Sequence, residues 1–321
     1  MKKSTKIWFI TAASLMLAGI IIFAGVMTML KWDFRKLSTD KYVDNVQEIS
    51  ESYQSIVVNV RTADITLLPA DSEATTVKAH YKSKLQYNVT VKDGTLYIEL
   101  LELKKWYDWI SIGFDSTKIT VYVPRNLSTS LTVTCSTGDL TVTDLPNINK
   151  IDASGSTGDV AISNVSSQSI KLKVSTGDIT LNGVTASSID LKATTGDVSI
   201  SSSSCSGSIN IALSTGDTTL SGVRCKNLAS SATTGDLTLN DLIVAESLAV
   251  ERSTGDVTFN ACDAGSINVN TTTGNVKGSL CTSKIFYAKS NSGSVNVPQS
   301  TSGGLCTINT SSGNINITII N

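Results

Sequence analysis

One short signature governs this chain. Ser-Thr-Gly-Asp begins at Ser136, Ser156, Ser175, Ser214 and Ser253, Thr-Thr-Gly-Asp at Thr194 and Thr233, and Thr-Thr-Gly-Asn at Thr272. Two degenerate copies follow around Gly293 and Gly313. The ten signature glycines, Gly138, Gly158, Gly177, Gly196, Gly216, Gly235, Gly255, Gly274, Gly293 and Gly313, are 19 or 20 residues apart. A fixed period of this length belongs to repeat architectures, in which no unit can bury its apolar face alone and each stacks on its neighbours.

Within each period the apolar residues alternate, as Ile179 and Leu181 after Gly177, then Ile189, Leu191 and Ala193 before the next turn. A period of two means strands. Counted from each glycine, offsets +2, +4 and +7 are apolar (Val160, Ile162, Val165; Ile179, Leu181, Val184) and +1, +3 and +5 polar. The fold expected is an all-β right-handed parallel β-helix, or β-solenoid, of about ten coils over residues 134–321. Leucine-rich and WD40 repeats have other periods and patterns.

From Ile7 to Leu30 there are 24 residues without a charge, enough at ~1.5 Å each to cross a bilayer core. The run exceeds a signal-peptide core and ends in no A-x-A site, so an uncleaved transmembrane anchor at 7–30 is preferred to a cleaved leader. Residues 1–6, with Lys2, Lys3 and Lys6, are expected in the cytoplasm, and residues 31–321 outside it. The net charge of −1, from 26 basic and 27 acidic residues, disfavours nucleic acid as a partner.

Residues 31–50 are polar and read as a stalk, and residues 51–133 as an amino-terminal cap. In the cap, Val60 to Leu67 looks like a diverged coil with Ala63 in the glycine place, and Val89 to Ile98 like a hairpin turning at Asp93-Gly94. Lys118–Pro124 would be the last strand before the regular coils. On Ile56-Val57-Val58-Asn59, Ala63-Asp64-Ile65, Asp93-Gly94-Thr95-Leu96, Thr120-Val121-Tyr122-Val123-Pro124 and the serial turns, residues 51–321 resemble the bacterial DUF4097 family, the "putative adhesins" of toastrack or head-GIN-like form. The resemblance implies a membrane-tethered envelope protein, associated with adhesion or envelope-stress signalling, and no catalytic residues. No Gly-rich cytoplasmic domain or second apolar segment accompanies it, so signalling would have to pass through one helix and six residues.

Four constellations invite chemistry. The first is an aspartate ladder, Asp139, Asp159, Asp178, Asp197, Asp217, Asp236 and Asp256. Neighbours about 5 Å apart would repel by ~0.8 kcal/mol in water, which invites a cation, and Ca²⁺ suits carboxylate, hydroxyl and carbonyl oxygens. The alternative, preferred here, is that each Asp caps its turn and no cofactor is held. The second is the outward file Thr141, Thr180, Thr219, Thr238 and Thr258, able to meet a glycan or wall polymer, or simply suited to outward strand positions. The third is the cysteine set: Cys205 with Cys225, and Cys262 with Cys281, are expected stacked inside the rod as buried thiols. The fourth is Lys104–Ile110 with Trp106 and Trp109, a sugar- or membrane-facing loop or a buried cap.

Catalysis finds little support. His80 stands alone and reads as a surface residue, and Arg224 and Arg252 read as solvated, so a polysaccharide-active enzyme ranks last. The expected function is a membrane-anchored envelope module that binds a wall polymer, lipid surface or envelope protein, with a stress-signalling accessory as the alternative. The strand Ile315 to Ile320 has no evident cap after it, which predicts end-to-end self-association through the carboxyl-terminal coil.

Overall fold

Most periods fold into one coil with two strands, and the coil after Gly255 runs through both faces as one unbroken strand, Val257–Thr273. In the coil that starts at Gly177, Ile179–Asn182 is a four-residue strand and Thr185–Thr195 an eleven-residue one. The computed structural model describes residues 3–37, 40–102 and 115–320. Short strands pair in parallel register to make one face of a solenoid, for example Ile179 with Val198 and Leu181 with Ile200. Long strands make the other, Ile170 with Ile189 and Leu172 with Leu191. Register carries the alternation from coil to coil, so Val160, Ile162, Val165, Ile179, Leu181 and Val184 all lie buried in one continuous core. Each such side chain contributes roughly 1.5–3 kcal/mol of burial.

At the turns the signature glycines stack directly. Gly177 has φ 142°, and a Cβ there would sit 2.0 Å from the carbonyl oxygen of Gly158. Only glycine fits, which is why the signature persists. A second turn column six residues on holds Asp144, Asn164, Ser202 and Asp241 at φ between 46° and 56°, beside Gly183 and Gly222. Asn and Asp tolerate that left-handed conformation, so glycine is not obligatory there.

The ends depart from sequential stacking. Ser55–Thr62 pairs with Thr129–Thr137 on one side and Thr95–Glu102 on the other, and Asp64–Ala70 lies between Leu140–Thr143 and Lys118–Pro124. Lys118–Pro124 therefore precedes the regular coils in sequence but not in space, where it is one layer further out. Gly138 stacks on the carbonyl of Ala63, which does take the glycine place. The hairpin turns at Asp93 and Gly94, both with positive φ. Tyr42–Ile49, expected as stalk, is an antiparallel strand on Thr75–Lys82, which in turn pairs antiparallel with Lys118–Pro124. These strands and Leu85–Lys92 close that end of the core.

The other end mirrors this arrangement. Gly304–Ser312 pairs with the strand around Ile267–Thr273 and also with Lys284–Ser292, while Ile315–Ile319 lies between Val276–Leu280 and Val295–Asn296. The expectation that Ile315 to Ile320 forms an uncovered edge is thus corrected. The last coil is inserted, and residues 284–296 form the outer layer. Burial follows this order: Cys306, Ile308, Ile315 and Ile317 are fully buried, whereas Phe286 and Ala288 are half-buried and Val295 exposed.

Preceding the solenoid, Lys3–Met29 is one helix, and its Thr5–Met29 stretch is long and apolar enough to cross a membrane.

Candidate functional site

The short-strand face positions the candidate residues because every outward offset falls in register. On its turn edge the aspartates form a hydrogen-bonded ladder: the backbone N–H of Asp178 donates to Asp159 Oδ1 at 2.9 Å, that of Asp197 to Asp178 Oδ1 at 2.8 Å, and so on from Asp64 to Asp256. Asn275 and Asn314 continue it, the N–H of Asn275 meeting Asp256 Oδ1 at 2.8 Å and that of Asn314 meeting Asn275 Oδ1 at 2.9 Å. Each carboxylate thereby satisfies a turn N–H of the next coil, which is capping work. No cluster of three or more His, Cys, Asp or Glu with metal-holding geometry occurs among the described residues.

Beside the ladder runs the threonine file. Thr141 is followed by Ala161, Thr180, Ser199, Thr219, Thr238 and Thr258, each the register partner of the one before. The structure therefore brings all five predicted threonines into one outward column, interrupted by one Ala and one Ser. Next to it lies a column of small polar residues, Ser163, Asn182, Ser201, Ser221, Asn240 and Asn260, with Asn260 Nδ2 donating to Asn240 Oδ1 at 2.7 Å and Asn240 Nδ2 to Ser221 Oγ at 3.0 Å. Acid, hydroxyl and amide thus stand side by side along one face. Trp106 and Trp109 lie outside the described residues.

Behind this face sits a charge the sequence reading placed in solvent. Arg252 is 4% exposed and points into the rod, occupying a column filled elsewhere by Leu213 and Ala232. Its Nη2 donates to Ser230 Oγ at 2.9 Å and its Nη1 to the Glu251 carbonyl at 3.1 Å, while Thr218 Oγ1 lies 3.5 Å from Nη2. Burial lowers its pKa to about 10, partly offset by Asp217 and Asp236 on the ladder outside. Small neighbours, Ala232 and Ser230, make the room, a signal present in the sequence but visible only once the layers are stacked.

On the long-strand face a shallow groove of about 870 Å³ runs along the rod, lined by Ser166, Thr185, Ser204, Arg224, Lys226 and Glu246 among others. Arg224 is exposed there, as expected.

The cysteines follow the expectation with one exception. Cys205 and Cys225 are register partners and both buried, and burial pushes the Cys225 thiol up to about 12. Cys262 is buried, but Cys281 is exposed. Pairing slips by one residue beyond Gly278, so Leu280 rather than Cys281 lies against Cys262.

His80 is likewise no bare surface residue. Its Nδ1 lies 2.6 Å from Asp44 Oδ1 and its Nε2 3.1 Å from Asp115 Oδ2, and the ring stacks on Tyr42 at 5.0 Å. The Asp44 hydrogen bond above all, with Asp115 adding to it, holds the imidazole above its ordinary value.

A family model described as Toastrack DUF4097 matches residues 53–217 and 207–321. No curated protein matches the sequence. Among solved structures, a Bacteroides fragilis protein named a "putative adhesin" is similar at 18% identity over 87% of this chain and 97% of its own, with a TM-score of 0.42. A "putative adhesin" from Parabacteroides distasonis is similar at 15% identity over 85% and 98%, with a TM-score of 0.46. A "putative lipid binding protein" from the same species is similar at 17% identity over 86% and 96%, with a TM-score of 0.42.

Proposed function

The chain belongs to the Toastrack DUF4097 family, and from that premise we propose that it is a membrane-anchored binding module of the bacterial envelope rather than an enzyme. In this reading the helix spanning Thr5–Met29 is the anchor, Lys2, Lys3 and Lys6 stay on the cytoplasmic side, and the solenoid stands outside.

One observation carries the reading: down the short-strand face an acid ladder runs beside a hydroxyl file broken only at Ala161 and a column of serines and asparagines, all in register from coil to coil. A repeating surface suits a repeating partner, because each added unit of a polymer meets similar polar groups and weak contacts accumulate as avidity. Hydroxyls and amides both donate and accept, as do the hydroxyls and N-acyl groups of a wall glycan. The ladder carboxylates along one edge repel anionic polymers, which favours a neutral glycan.

Two measurements test this. Protease added to intact cells removes the solenoid if it is extracytoplasmic and spares it if it is cytoplasmic. Full-length protein in detergent sediments with isolated glycan strands if the face binds them; protein left entirely in the supernatant refutes the glycan assignment.

A further inference from the structure

The last coil is held by contacts that do not depend on its own connection. Asn309 Nδ2 donates to Asn270 Oδ1 at 3.0 Å, the Asn314 N–H to Asn275 Oδ1 at 2.9 Å, Thr310 Oγ1 to the Gly274 carbonyl at 3.1 Å and Thr318 Oγ1 to the Gly278 carbonyl at 3.2 Å. All reach back 36 to 40 positions, across the outer coil that intervenes in sequence. That outer coil cannot stack on its sequence predecessor while the insert is present, for Lys284–Ser292 pairs with residues 304–312 alone. Residues 304–319 thus separate residues 267–280 from the outer layer that follows them in sequence.

The slot they fill is shaped for one sequence. Gly304 lies in register with Lys284, and a Cβ on it would meet the Gly265 carbonyl oxygen at 1.8 Å. Past these glycines the Lys284 ammonium, itself buried, reaches Asp263 Oδ1 at 2.7 Å and Thr282 Oγ1 at 2.5 Å. Cys306, Ile308, Ile315 and Ile317 then complete the interior columns. The connection, residues 297–303, is Val-Pro-Gln-Ser-Thr-Ser-Gly and forms no strand.

We infer that this coil exchanges between two copies of the chain: residues 304–319 of each copy fill the slot between residues 257–280 and 284–296 of the other. An identical coil reproduces every contact above, and reciprocal exchange closes the pair with two-fold symmetry, the inexpensive route to a dimer. Exchange joins the rods at the end away from the apolar helix, since the opposite end is closed by antiparallel strands. It is independent of the glycan-binding face.

The test uses two full-length chains with different tags, co-expressed and purified in detergent, one carrying Asn270→Cys and the other Asn309→Cys. Both carry Cys281→Ser to silence the exposed thiol. A short bis-maleimide is expected to give a covalent heterodimer carrying both tags. A single chain with both Asn270→Cys and Asn309→Cys serves as the control, and Asn268→Cys with Thr307→Cys, also register partners, replaces the pair if either variant misfolds. No heterodimer alongside a control that cross-links within one chain overturns the exchange. A control that does not cross-link overturns the inserted order itself, and the exchange with it.

Discussion

The Cβ that Gly177 lacks would lie 2.0 Å from the carbonyl oxygen of Gly158. That approach recurs at each turn from Gly138 to Gly313, always backbone on backbone, so no side-chain adjustment relieves it. Gly177→Ala adds both the contact and the strain of φ 142°, and is expected to destabilise by about 3 kcal/mol or more. Gly155→Ala, where the Cβ would lie 3.2 Å from the Cys135 carbonyl, is expected to cost within about 1 kcal/mol. Denaturant titration of the full chain in detergent distinguishes the two, and equal midpoints would contradict the stacked turns.

The ladder behaves as turn chemistry. Asp178→Asn keeps the acceptor for the Asp197 N–H, as Asn275 and Asn314 keep theirs, and is expected to be near neutral. Asp178→Ala leaves that N–H without its acceptor and is expected to cost about 1–2 kcal/mol. Calcium in excess over chelator is expected to leave the thermal midpoint unchanged. A rise of several degrees would mean that the native ladder binds the metal.

Arg252 is a charge that the rod tolerates rather than requires. Arg252→Met removes the charge and keeps volume, and is expected to be neutral or stabilising. Ser230→Ala strips a partner from Nη2 and is expected to destabilise by about 1–3 kcal/mol. The opposite ranking in thermal unfolding would show that the guanidinium holds the coils together.

His80 couples the cap to pH. Its pKa is raised in the folded chain, so its pairing with Asp44 and Asp115 stabilises fully below the unfolded value of about 6.5 and fades as pH rises through the higher folded value. Denaturation midpoints of the native chain minus those of His80→Gln are expected to shrink across that window. A difference that is constant with pH would contradict the double ion pair.

These cases show where the sequence was readable. Period and alternation fixed the coils, because a glycine with no room for a Cβ and residues two apart on one face leave direct marks in the string. The threonine file was legible for the same reason. Insertion of residues 304–319 ahead of 284–296 was not, since both segments carry degenerate copies of the same turn signature at the same spacing and nothing in the period tells which stacks first. Cys281 was misplaced because a column assigned by counting assumes equal coils, whereas Arg252 was read as solvated from its charge although it stands in the interior column of Ala193, Leu213 and Ala232. Pairing slips by one residue after Gly278, and two small neighbours open space for a guanidinium. Asp44, His80 and Asp115 meet only through antiparallel pairing within the cap, which has no period to count.

The binding face is tested most directly by sedimenting full-length protein with isolated glycan strands, native chain beside a Thr180→Arg, Thr219→Arg, Thr238→Arg variant. The three positions face outward on the short strands, so the variant is expected to keep its circular dichroism and thermal midpoint. The expected result is that native chain pellets with the glycan and the variant stays in solution. A folded variant that pellets as fully as the native chain would contradict the assignment of this face.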